Sequence, residues 1–227
     1  MKGKKIVYFI LMFLPLVATL VLMPFFPEQI PAHYGADNQV TRWGSKWELL
    51  IFPAVTLLMA GFFPLVAKLV RASEPDGQNN EKVLLISGCA TLLLFNVMTG
   101  YFLYTAYHQV VDLSEVSVDM NRIAFVALGI VLIIVGNIMP KTRKNSLCGL
   151  RTPWSMKNEL TWKKSQRFGG ISFIVAGAAM VVVSLLTHGW SCFVWAMGIL
   201  LVVAVVDVIY TYRVAKSMDC INHRDIL

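Results

Sequence analysis

Apolar residues in this chain run in long stretches, and the polar residues gather between them instead of alternating with them. Six stretches come near the roughly 20 residues that a helix needs to cross a hydrocarbon core. They are 6–26, 47–70, 83–107, 123–139, 168–186 and 192–210, the fourth being the shortest. The first follows Lys2, Lys4 and Lys5, as a signal peptide would. Its apolar stretch exceeds the usual 7–15 residues and lacks an A-x-A-like cleavage site, so it is expected as a retained span.

Composition supports the same class. Of 227 residues 57% are apolar and only 15% charged, with a mean hydropathy of +0.65. Soluble domains carry about 25% charged residues. The net charge of +7 suits polyanions, but a chain this apolar cannot build a basic nucleic-acid surface. An all-α integral membrane protein with six transmembrane helices is expected.

Basic loops stay in the cytoplasm. With both termini cytoplasmic, 17 of the 20 Lys and Arg fall inside, leaving Arg42, Lys46 and Arg122 outside. The expected organisation is a two-span region, 1–70, with an external loop 27–46. A four-span region, 83–227, follows, with a cytoplasmic loop 140–167. Residues 72–82 read as a hydrophilic, mobile linker.

Catalysis is not expected. His33, His108, His188 and His223 each stand alone, none with a second His at ligand spacing. No Ser or Cys sits in a nucleophile's setting, and Cys89, Cys148, Cys192 and Cys220 form neither a disulfide framework nor a zinc pattern. No cofactor or metal is expected. Intramembrane polar residues are Asn96, Asn137 and Asp207; such groups can mark an ion path. Asp207 is expected instead as an interfacial carboxylate paired with a nearby base, with Arg213 following. Asn96 is expected in helix packing.

The long inner loop is ordered beyond what positive-inside anchoring requires. Pro140 ends the fourth span, and Thr152-Pro153 suits a helix start. Projected at 100° per residue, Trp154, Trp162 and Phe168 share a face opposite Lys157, Lys163, Lys164 and Arg167, with Met156 and Leu160 among the bases. A short, imperfect amphipathic helix in the inner headgroup layer is predicted, basic toward anionic lipid. Glu159 and Lys163 form an i,i+4 pair.

Gly136-Asn137-x-Met139-Pro140-Lys141-x-Arg143-x-Asn145, Gly149-x-Arg151-Thr152-Pro153-Trp154 and Asn158-Glu159-x-x-Trp162 together resemble the signature of the SdpI family. These are bacterial polytopic membrane proteins conferring immunity to a secreted killing peptide. Ile30-Pro31-x-His33 and Trp43-Gly44-Ser45-Lys46 resemble the domain of unknown function that often precedes it. Two departures stand out. Gln166 replaces a frequent His before Arg167, and Asn38 and Thr41 stand where Gly and Asp are common. Asn tolerates a positive φ, which keeps the turn feasible.

The resemblance implies a multi-pass protein of the bacterial plasma membrane that protects its producer from an antimicrobial peptide. It also implies a receptor role, in which a soluble transcription repressor is held at the membrane. The toxin-facing candidates are His33, Tyr34, Asp37, Trp43 and Lys46 of the external loop. The partner-facing candidates are Lys141, Arg143, Asn145, Gly149, Arg151, Thr152, Pro153, Trp154, Glu159, Trp162 and Arg167. His33 is expected as a locally bonded turn residue. The alternative class is a small permease or peptide exporter with a polar path, hinted at by Asn96, Asn137 and Asp207.

Overall fold

A computed structural model describes residues 2–35, 37–73, 77–117 and 119–224, the side chains of residues 2–4, 73, 77–78 and 219–224 excepted. Cys220 and His223 therefore lie outside the described side chains. Six long helices carry the chain: α1 (Lys2–Leu22), α2 (Ile51–Ser73), α3 (Gly77–Tyr107), α4 (Met120–Ile138), α5 (Glu159–Leu186) and α6 (Gly189–Arg224). All six are long and apolar enough to span a membrane. Isoleucine, valine, leucine and phenylalanine stay exposed along α1 and α6, while Thr19, Thr56, Thr99, Gln166, Asp207 and Thr211 are buried. Outside is apolar and inside partly polar, as lipid solvent dictates.

Two glycine pairs set the closest helix packing, that of α4 on α5. A Cβ on Gly136 would stand 2.6 Å from the Gly170 carbonyl oxygen, and one on Gly170 the same distance from the Gly136 oxygen. Two turns along, Gly129 meets Gly177 in the same way, at 2.7 Å. Small residues let backbones approach where lipid offers no hydrophobic drive.

Prolines tie the first three helices together. Pro15 lies inside α1 and Pro64 inside α2, and each leaves the carbonyl four residues earlier without its helical donor. The Leu11 carbonyl accepts from Asn96 Nδ2 of α3 at 2.8 Å, and the Ala60 carbonyl from the Tyr8 hydroxyl of α1 at 2.8 Å.

Between α1 and α2 the chain forms an antiparallel hairpin, β1 (Gln29–Tyr34) and β2 (Val40–Ser45). An all-helical reading leaves this segment as a loop, because its register slips between Pro31 and Tyr34 and no clean alternation survives. Asn38 adopts φ 66° at the tip, the conformation expected for it. Ile30 packs with Phe26, Leu49, Leu103 and Ala106, seating the hairpin on α3. The tip docks on the α3–α4 connection: Val40 donates to the Val111 carbonyl at 3.0 Å, and Leu113 to that of Asn38 at 3.0 Å.

Three expectations need correcting. Residues 77–82 are the start of α3, not a linker; Arg71 pairs with Glu81 at 3.2 Å and Asn80 is fully buried, while Glu74, Pro75 and Asp76 lie outside the described residues. No amphipathic helix starts at Thr152. Instead α5 begins at Glu159, capped by Asn158 in a reciprocal box with Thr161, and runs unbroken into the fifth span. Among the described residues Asp207 has no basic partner; it accepts from the Ser172 hydroxyl of α5 at 2.7 Å.

Candidate functional site

Residues flagged at sequence level gather at two opposite ends of the bundle. At the hairpin end, His33 is exposed in β1 (in a strand, not a turn) with Nδ1 2.6 Å from Thr41 Oγ1. The half-buried Tyr34 donates to the Val110 carbonyl at 2.8 Å, and burial pushes its phenol pKa up. Asp37 is exposed and accepts from the Gln39 amide at 3.2 Å. Trp43 is 46% exposed, while Lys46 is paired with Glu28 at 2.8 Å. Trp47 stands exposed beside them.

Arg42 and Glu48, absent from the sequence-level candidates, form a two-pronged pair: Nη1 to Oε1 at 3.0 Å and Nη2 to Oε2 at 2.7 Å. This pairing raises the Arg42 pKa further. Asp112 joins the hairpin to the α3–α4 connection, accepting from Gln39 and from the Ser114 amide at 2.7 Å. The Ser114 donors hold its carboxyl below the usual aspartate range.

At the other end, residues 139–158 fold into a cap. Asn145 is buried and closes a turn on itself. Its Nδ2 donates to the carbonyls of Arg143 (2.7 Å) and Cys148 (3.0 Å), and its Oδ1 accepts from Leu147 (2.8 Å) and Cys148 (2.6 Å). Gly149 sits at φ 103°, where a side chain would be strained and a Cβ would meet Gln166 Oε1 at 2.7 Å. Gln166, fully buried, grips Leu150 by both backbone groups, amide and carbonyl, at 2.9 Å each. Thr152 bonds the Thr211 hydroxyl of α6 at 2.9 Å, and Ser155 locks the turn through Leu150 and Thr152.

Trp162 is 1% exposed and donates Nε1 to the Thr142 carbonyl at 3.1 Å. It holds the cap from beneath and is not a lipid anchor. The cap is also tied to α3, where Asn80 Oδ1 accepts from the Arg143 amide at 2.8 Å.

The candidate list for this end thus divides. Asn145, Gly149, Thr152 and Trp162 shape the cap. Lys141, Arg143, Arg151, Pro153, Trp154, Glu159 and Arg167 are exposed on it, with Lys157, Lys163 and Lys164. Trp154 rests edge-on against Tyr212 at 5.3 Å. Glu159 and Lys163 do not form an ion pair; the three pairs among the described residues lie elsewhere. Asn80 and Gln166 are the residues that sequence reasoning undervalued. Their signal was a polar amide at a position continuous with an apolar span.

The three intramembrane polar residues are not brought together. Asn96 serves α1, Asn137 is exposed near the end of α4, and Asp207 lies between α5 and α6. Among the described residues no group of three or more His, Cys, Asp or Glu is placed to hold a metal.

The two ends coincide with two matched regions. Residues 141–211 match the model of the SdpI/YfhL protein family, and residues 10–57 that of a domain of unknown function, DUF1648. The chain is 27% identical over 217 residues to the "Immunity protein SdpI" of Bacillus subtilis (strain 168), covering 95% of this chain and 98% of that one. The chain is similar to the SdpI family over residues 141–211 and to one of its members over nearly its whole length. A second relative, an uncharacterized protein of Archaeoglobus fulgidus, is 42% identical over 43 residues, 19% of this chain and 24% of its own. No solved structure matches the chain. Six apolar helices and the SdpI relationship make it a multi-pass protein of the bacterial plasma membrane.

Proposed function

We propose that this chain is a membrane immunity protein of the SdpI family, protecting the cell that makes it from a secreted killing peptide. The observation that carries the reading is the relationship to an immunity protein along nearly the whole of both chains. The hairpin end faces outside and the cap faces the cytoplasm, because eight of the Lys and Arg crowd into residues 140–167, the cap and the first turns of α5. His33, Trp43 and Trp47 then stand exposed at the outer headgroup level, where an amphipathic peptide arrives.

The finer part of the proposal concerns the cap. Its exposed bases and Trp154 offer a surface to a soluble repressor or to anionic lipid. α3 touches both ends: Leu103 and Ala106 seat the hairpin, and Asn80 holds Arg143. They lie about 35 Å apart at 1.5 Å per residue. Peptide capture signals through this helix only if the peptide binds two arrangements of it with different affinity.

The test is survival of a toxin-sensitive Gram-positive host that expresses the chain and is challenged with an Sdp-type killing peptide. A Trp43→Ala, Lys46→Ala variant should lose protection at matched membrane levels. An Arg151→Ala, Trp154→Ala variant should keep protection and lose repressor recruitment. A wild type that protects against no such peptide overturns the reading, and a permease or exporter then leads.

A further inference from the structure

A cavity of about 150 Å³ lies under the hairpin, between its strands, the start of α2 and the outer half of α3. Ile30, Leu49, Phe52, Phe102 and Leu103 line it. Phe52 and Phe102 stack there, ring centres 4.6 Å apart. Cavities of about 150 Å³ with aliphatic and aromatic walls stay dry and accept a benzene-sized guest. The space is thus one phenyl ring or branched aliphatic side chain in size.

Its rim carries charge. Arg42 and Glu48 both line the opening, with side chains 55% and 31% exposed. Of the five N–H donors of a guanidinium, Arg42 spends two on Glu48, so about three remain for an arriving group. An apolar socket beside free, fixed donors matches one apolar side chain flanked by its own backbone carbonyls. A free lipid acyl chain brings no such acceptors at that depth.

Resting on the immunity reading above, we propose that this cavity is the anchor site of the secreted peptide. It takes a single large apolar side chain, while Arg42 binds the adjoining backbone. None of the wall residues was among the site candidates drawn from sequence: Ile30 and Pro31 entered only as part of a motif, and Leu49, Phe102 and Leu103 read as ordinary apolar positions.

The experiment uses the full chain in lipid nanodiscs, with 4-fluorophenylalanine at position 102 and a synthetic Sdp-type killing peptide as probe. Peptide variants replace each large apolar residue by alanine, and Ala32→Met fills the cavity from the hairpin side. The expected result has three parts. The peptide shifts the fluorine resonance of Phe102 in the otherwise wild-type chain. Ala32→Met weakens binding at least tenfold, and a single alanine variant of the peptide binds weakly and is indifferent to Ala32→Met.

Tight binding that leaves the Phe102 resonance unmoved overturns the anchor site and leaves the immunity reading intact. A resonance that follows the nanodisc lipid and ignores the peptide also overturns it, since acyl chains then fill the cavity. A wild-type chain that neither binds the peptide nor protects cells removes both. The Phe102 readout stands in the wild-type background, so misfolding of the methionine variant does not decide the matter.

Discussion

Asn96 gives its two amide hydrogens to the carbonyls of Leu11 and Leu92, 2.8 Å each. The first is the acceptor that Pro15 strips of its own helical donor. An unsatisfied carbonyl inside a bilayer is costly, so Asn96 and Pro15 are one device split between two helices. Asn96→Leu should destabilise the chain by about 1 kcal/mol, the scale of hydrogen bonds between membrane helices. In a Pro15→Ala background the restored amide serves Leu11, and the same substitution should cost much less. Unfolding of the four variants in a detergent titration measures the coupling; equal costs in both backgrounds would show that the pair is independent.

The glycine contacts between α4 and α5 predict a sharper loss. The atoms that a Cβ on Gly136 would meet include the Gly170 carbonyl oxygen at 2.6 Å and the Ile174 amide nitrogen at 3.0 Å. Backbone cannot rotate aside as a side chain can. Gly136→Val should separate the helices and cost upward of about 2 kcal/mol. Gly198, whose Cβ would meet nothing within 4 Å, is the control: Gly198→Ala should leave the melting temperature nearly unchanged.

Hydropathy made the six spans legible because lipid solvation acts on every residue of a span at once. The hairpin was not legible, since its bulged register and mixed faces leave no period of two to read. The cap misled for another reason. Trp154, Trp162 and Phe168 do share a helical projection, but Asn158 caps the helix after Trp154 and before Trp162, so only the last two lie on it. Trp162 then turns inward to Thr142. Asn96 was legible as a packing residue, while its partner carbonyl, 85 positions away, was not. Distant pairings of this kind leave no trace in local pattern.

Gln166 tests how the cap is held. It is fully buried and grips both backbone groups of Leu150. Gln166→Leu orphans the Leu150 amide, worth about 1–3 kcal/mol when a buried group is left unpaired, while the Leu150 carbonyl keeps only the Ser155 hydroxyl. The spans should survive while the cap loosens. Trypsin cleavage after the exposed Arg151 should accelerate several-fold, with helical content unchanged by circular dichroism. Cleavage at the wild-type rate would mean that Ser155, Thr152 and Trp162 hold the cap without it.

Asp112 gives the hairpin a dependence on pH. Its carboxyl lies below the ordinary aspartate value because the Ser114 hydroxyl and amide, then Gln39, donate to the charged form. A lowered native pKa favours the docked state above the unfolded value, about 3.9. That contribution fades as pH falls from there through the native pKa. Hydrogen exchange at Val40 and Leu113, whose amides bridge tip and connection, should therefore be flat above pH 5, once corrected for intrinsic rates. Protection should then fall on acidification below about 4. Asp112→Asn keeps an acceptor for Ser114 but removes the charge, so its protection should be lower at neutral pH and insensitive to acid. A variant that retains the wild-type acid response would assign the titration to another carboxylate.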